Sequence, residues 1–292
     1  MATDAWPAGR RGSLILLGAS LAWLGWMLWS AQASILGAAE PVTAIIVAAS
    51  ALPVVIAATM LAGGAAGLAA LAWRPLASGL RWALTTGAGA LVGAVAAGLI
   101  MWGYGHRSSI VQLALSVLAA GTLGGALAGI RPGQVVRVGL AGALVASVAD
   151  SALSLFTVPL MRLFGGGGSP AGWLAAASRL ALTASLIGGA VAGLTAFALL
   201  YRARCGWRFP AYLGAGAAAG VLLLLTELIT RIGGLQIFGI VGRLSPADPT
   251  YLDYVAQSRL DYAMIVLFVG AIVALLCLGA TMRRPEPARS GR

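Results

Sequence analysis

Five polar side chains, Ser147, Asp150, Ser151, Ser154 and Thr157, recur three and four residues apart in a stretch otherwise apolar enough to cross a bilayer. On a helix that spacing collects them on one face, a polar stripe about three turns long that holds a single carboxylate. A carboxylate in hydrocarbon has to be paired, hydrated or protonated, so the stripe faces other helices or a water-filled cavity and not lipid. Two kinds of chemistry are open to it: ion contact or proton exchange along a transport path, or a structural ion pair between helices. Arg137 precedes Asp150 by 13 residues and Arg162 follows it by 12. At 1.5 Å per residue the carboxyl group is then expected roughly 20 Å from either arginine, at midplane depth.

Two further charged residues belong with this stripe. Arg179 follows Trp173 by six residues, which sets it about 9 Å below the outer boundary if the indole is interfacial. A guanidinium cannot shed its charge and needs an acceptor. Glu227 lies at comparable depth on another apolar run, and Arg231, four residues later, offers it a local partner. That local pair is the simpler arrangement. The alternative is a network of Asp150, Arg179 and Glu227, a polar cluster opening to the outside. The transport-pathway candidates are thus Asp150, Ser147, Ser151, Ser154, Arg179 and Glu227.

Other chemistries have little to stand on. The single histidine, His106, leaves no bis-histidine haem or histidine-rich metal site within the membrane and no Ser-His or Cys-His dyad at depth. Cys205 and Cys277 are too few for a disulfide framework. The run Gly165-Gly-Gly-Gly168-Ser-Pro170 lacks the Lys-Ser/Thr that a phosphate loop requires and is read as a flexible connector. Neither a cofactor nor a metal is expected, and the chain is not read as an enzyme.

The elements that must position these residues are transmembrane helices. Of 292 residues 60% are hydrophobic and 9% charged, with a mean hydropathy of +0.94, values that fit a chain whose solvent is mostly lipid. The net charge of +11 comes entirely from arginine, because the sequence contains no lysine. These arginines stand singly or in pairs between apolar runs, the pattern of lipid headgroup partners and not of a nucleic-acid surface.

Eight runs meet the requirement of about 20 apolar residues: 13–30, 43–72, 82–102, 110–130, 138–161, 173–201, 211–232 and 262–282. The fold class is therefore an all-α integral membrane protein, one polytopic domain over residues 1–292. The first run also reads as a secretory leader ending near Ala31-Gln-Ala33. Trp23, Trp26 and Trp29 favour a retained helix. Pro53 is expected to kink or break the second run. Residues 233–261 are expected to form the longest external loop, a cap on the outer mouth, a docking surface or a connector.

With the amino terminus inside, 13 arginines fall on the cytoplasmic side against six elsewhere, which places both termini in the cytoplasm of a cell (inner) membrane protein. A weak echo at 98 residues relates Arg81-Trp-Ala-Leu-Thr85 to Arg179-Leu-Ala-Leu-Thr183 and Val47-Ala48 to Val145-Ala146. If structural, it makes helices 2–4 and 5–7 two inverted three-helix repeats with one helix at each end, a transporter arrangement. A chain this rich in Ala, Leu and Gly also matches itself by chance. Small residues four apart, such as Gly89-xxx-Gly93, Gly121-xxx-Gly125 and Gly216-xxx-Gly220, are read as close helix packing within the chain.

Two functions follow. The first is a permease-like or channel-like protein moving a small solute or ion past Asp150, and it is favoured because midplane carboxylates serve function more often than packing. The second is a noncatalytic accessory subunit of a larger membrane complex, whose partners are the lipid bilayer and other membrane-protein subunits.

Overall fold

The computed structural model describes residues 8–37, 41–72, 78–104, 108–131, 133–166, 170–203, 209–244 and 249–281. These form nine helices: α1 (Ala8–Leu36), α2 (Pro41–Leu71), α3 (Ser78–Tyr104), α4 (Ser108–Ala128), α5 (Gly133–Leu155), α6 (Thr157–Leu163), α7 (Pro170–Arg202), α8 (Phe209–Leu244) and α9 (Pro249–Thr281). There is no strand among the described residues. All except α6 are long and apolar enough to cross a membrane, and helices satisfy their own backbone hydrogen bonds where lipid offers none. The chain is a multi-pass membrane protein.

Proline marks several boundaries. Pro41, Pro170 and Pro249 occupy first helical positions, where the missing N–H costs nothing and the fixed φ suits the helix. Pro53, by contrast, lies inside α2, which runs unbroken through it. Pro159 corrects the fifth span. That span was expected to continue to Met161, but α5 stops at Leu155 and a short α6 begins at Thr157. A proline at 159 has no N–H for the Leu155 carbonyl, and its ring crowds that oxygen. The chain turns at Phe156, whose N–H reaches back to the Leu153 carbonyl at 3.0 Å.

The expected loop 233–261 is also corrected. Helix α8 continues to Leu244 and α9 begins at Pro249, so most of this stretch is helical. With 36 and 33 residues, α8 and α9 are about 54 and 50 Å long, more than the roughly 30 Å hydrocarbon core requires.

Helix α2 is the hub, with Ile56, Ala58, Thr59, Ala62 and Ala65 fully buried. At the periphery Leu91, Val95, Leu99 and Trp102 of α3 form an exposed apolar stripe, the face that lipid covers. Two groups of three helices share one arrangement. In the first, α4 packs on both α2 and α3; in the second, α9 packs on both α7 and α8. A methyl group at Gly89 of α3 or Gly63 of α2 would collide with the carbonyl oxygen of Gly121 in α4. One at Gly216 of α8 or Gly193 of α7 would collide with that of Gly270 in α9. One turn on, Gly93 lies against Leu118 and Gly220 against Leu267. The glycine register of α3–α4 is thus repeated in α8–α9.

The 98-residue echo has no counterpart in this packing. Arg81 Nη2 donates to the Ile130 carbonyl after α4 at 3.4 Å, whereas Arg179 Nη1 donates to the Phe164 carbonyl after α6 at 3.3 Å. The matching pentapeptides, identical at four positions, meet helices that the inverted pairing does not equate.

Candidate functional site

A cavity of about 390 Å³ lies among α1, α2, α5, α7, α8 and α9, toward the end of the bundle where α5 stops and α9 enters its apolar span. Most of its wall is apolar, built from residues such as Pro53, Ala57, Met60, Leu61 and Leu222. The polar groups converge from three helices. Ser147, Asp150 and Ser151 come from α5, Thr226 and Glu227 from α8, and Ser258, Arg259 and Tyr262 from α9. Trp23 of α1 closes part of the wall.

Helix α5 delivers Ser147, Asp150 and Ser151 together because residues three and four apart share a face. Ser147 donates to the Ala143 carbonyl at 2.9 Å, which occupies its proton within the helix and leaves its oxygen toward the cavity. Asp150 is accessible from the cavity, and its carboxyl group is hydrogen-bonded by the Tyr262 hydroxyl. Gly188 of α7 makes that pairing possible. A Cβ there would stand 2.9 Å from the Tyr262 hydroxyl oxygen, closer than ordinary van der Waals contact.

The helix that carries Asp150 ends sooner than its distances from Arg137 and Arg162 suggested. Because α5 ends at Leu155, five residues on, the carboxyl group sits about 8 Å from that end of the helix.

The buried carboxylate of Glu227 accepts from Arg231 Nε at 3.1 Å. The local pair expected from the four-residue spacing is the one formed. Asp150 and Glu227 share the cavity, but Arg179 does not: it is exposed and turned to the Phe164 carbonyl. The network of Asp150, Arg179 and Glu227 is therefore not assembled. Ser154 and Thr157 also leave the stripe. Both are exposed, and they donate to the carbonyls of Ser151 and Ser154 at 2.7 Å.

Sequence reasoning missed Tyr262 and Arg259, because the eighth span was started at Tyr262 and Arg259 was left in the loop. The proline at 249 was the available signal. A helix starting there brings Arg259 and Tyr262, three residues apart, onto one face.

Among the described residues no three His, Cys, Asp or Glu side chains cluster to hold a metal ion. Glu227 and Arg231 balance each other, and Asp150 makes no ion pair among the described residues. Besides the Glu227–Arg231 pair, the cavity thus offers the Asp150 carboxylate, the Arg259 guanidinium, several hydroxyls and two aromatic side chains within an otherwise apolar enclosure. Such a site takes a compact solute with one cationic or hydrogen-bond-donating group, or passes an ion or proton. No family model, no curated protein and no solved structure matches the chain.

Proposed function

We propose that this protein is a permease-like or channel-like carrier that moves a small solute or ion across a cell membrane by way of the Asp150 cavity, with both termini in the cytoplasm. The observation that carries this reading is a carboxylate in a membrane-spanning helix that faces a cavity, with a tyrosine hydroxyl and, among the described residues, no arginine as its partner. A structural ion pair would need the arginine.

The repeated packing supports the same reading. The units α2–α4 and α7–α9 have the same helix order and glycine register. Their first helices are the second and sixth spans, with three spans between them, so both units run in one direction if each helix crosses once. Parallel repeats about an axis along the membrane normal are a transporter architecture, with the site near their interface. The cavity lies where α2 of one unit faces α7–α9 of the other. This parallel relation replaces the inverted one as the basis for the proposal.

The test is flux in proteoliposomes of the purified protein. Proton movement is read by an entrapped pH dye, and uptake of small amines, amino acids and polyols by light scattering. Protein-dependent flux of at least one of these is expected, falling about tenfold or more in Asp150→Asn. Equal flux in the two proteins, or none in either, removes the proposal.

One observation favours the second reading, a noncatalytic accessory subunit. Helices α8 and α9 have 36 and 33 residues, where about 20 cross the hydrocarbon core, and the excess length suits docking to another chain. Purification in mild detergent with a stoichiometric companion, and no flux by the protein alone, would support it.

A further inference from the structure

At the opposite end of α3 from its exposed Trp102, a second cavity, of about 330 Å³, is lined by Arg81, Trp82, Gly129, Ile130 and Arg131. We propose that this groove between the start of α3 and the end of α4 binds the phosphate headgroup of an anionic membrane lipid.

Charge is the first reason. Two guanidinium groups line the groove and no carboxylate does. Among the described residues Asp150 and Glu227 belong to the other cavity, and Asp261 accepts from Gln257 on α9. Arg131 is exposed and makes no hydrogen bond or ion pair among the described residues. Arg81 is held in place by its Nη2 contact with the Ile130 carbonyl, yet its buried Nε–H finds no acceptor. A buried donor without an acceptor calls for one, and a phosphate oxygen between two arginines supplies it with charge-assisted bonds.

Space and depth are the second reason. Gly129 leaves room for the Trp82 ring, since a Cβ there would lie 3.1 Å from Trp82 Cδ2, and Gly133 does the same for Arg81 Nη2 at 3.3 Å. Arg81 is three residues past the first residue of α3, and Arg131 three beyond the end of α4. Both are at headgroup level, and Trp82 is the type of side chain that favours this layer. The groove also continues into apolar surface: Leu80, Trp82, Leu84 and Ile130 are all exposed. Acyl chains have a wall to lie along that a free phosphate does not need. Basic pockets between transmembrane helices are a known way to hold anionic headgroups.

The experiment is native mass spectrometry, together with thermal unfolding of delipidated protein in mild detergent. The additions are phosphatidylglycerol, phosphatidylcholine or inorganic phosphate. The expected result is a retained phosphatidylglycerol adduct and a rise in unfolding temperature, neither matched by phosphatidylcholine or phosphate. Each guanidinium removed should weaken the adduct about fivefold. Arg131→Gln, at an exposed site, tests this without a folding risk, and Arg81→Gln with Arg131→Gln tests it fully. Arg162→Gln, on α6, should keep the wild-type adduct. A phosphatidylglycerol adduct undiminished in Arg131→Gln, or an equal response to phosphatidylcholine, overturns the proposal. Full stabilisation by inorganic phosphate alone overturns the lipid assignment.

Discussion

Asp150 and Tyr262 illustrate what a single polar contact between membrane helices is worth. The tyrosine hydroxyl meets the carboxyl group inside the cavity, and interhelical hydrogen bonds in bilayers contribute about 0.6 kcal/mol on average, rarely above 1.7. Such a bond orients the carboxyl group more than it holds the fold. In a double-mutant cycle of Tyr262→Phe with Asp150→Asn, unfolding in mixed micelles should show a coupling of about 0.6 kcal/mol, and strict additivity would mean that the two do not interact. Gly188→Ala tests how the hydroxyl is placed. Its added methyl group would press on the hydroxyl oxygen from 2.9 Å, so its effect on flux should match that of Tyr262→Phe and the two should not add. A Gly188→Ala protein with normal flux would contradict that role.

Legibility at this scale was uneven. The stripe Ser147, Asp150, Ser151 was readable because helical spacing alone puts those residues on one face. The Glu227–Arg231 pair was readable for the same reason. The partners of Asp150 were not, since which helix faces α5 is decided by packing among eight apolar segments with nearly interchangeable surfaces. Arg179 looked the natural choice by depth. Its helix turns it to the Phe164 carbonyl instead.

At the scale of elements, glycine sets how closely the helices approach. Lipid removes the hydrophobic drive between helices, so association depends on contact, and contact here is backbone against backbone. Gly89→Ala and Gly216→Ala each force a methyl group into a facing carbonyl oxygen. Each should lower unfolding stability by about 1–3 kcal/mol, the usual range for overpacking. Gly98, in the same α3, has nothing within 4 Å of its Cβ position, and Gly98→Ala should stay within about 0.5 kcal/mol of the parent. Equal losses at 89 and 98 would attribute the effect to helix composition and not to packing.

Eight spans were evident from apolar length alone, because about 20 such residues in sequence have few other uses. Their ends were less so. Pro159 ends α5 early and Pro249 starts α9 early. Both follow from the local chemistry of proline, but neither affects hydropathy enough to be seen in an apolar count.

Taken whole, the molecule is two three-helix units with α5 between them and α1 packed on α2. The sequence signal of that relation is faint. Gly89-xxx-Gly93 and Gly216-xxx-Gly220 align, as do Leu118 with Leu267 and Gly121 with Gly270, yet such matches are common in a chain with 41 glycines. Only their contacts distinguish them from chance. The cavity between the units has to be wet and reachable from one side if Asp150 serves transport. This can be measured without knowing the solute.

In a protein with Cys205→Ser and Cys277→Ser, Ser151→Cys places one thiol beside Asp150 on the cavity wall. In sealed proteoliposomes a membrane-impermeant cationic thiosulfonate should label it, roughly tenfold faster than the anionic analogue, because the neighbouring Asp150 carboxylate attracts a cation and repels an anion. Asp150→Asn should abolish that preference. Labelling by neither reagent until the protein is unfolded, or a rate ratio indifferent to Asp150, would contradict a solute path through this cavity.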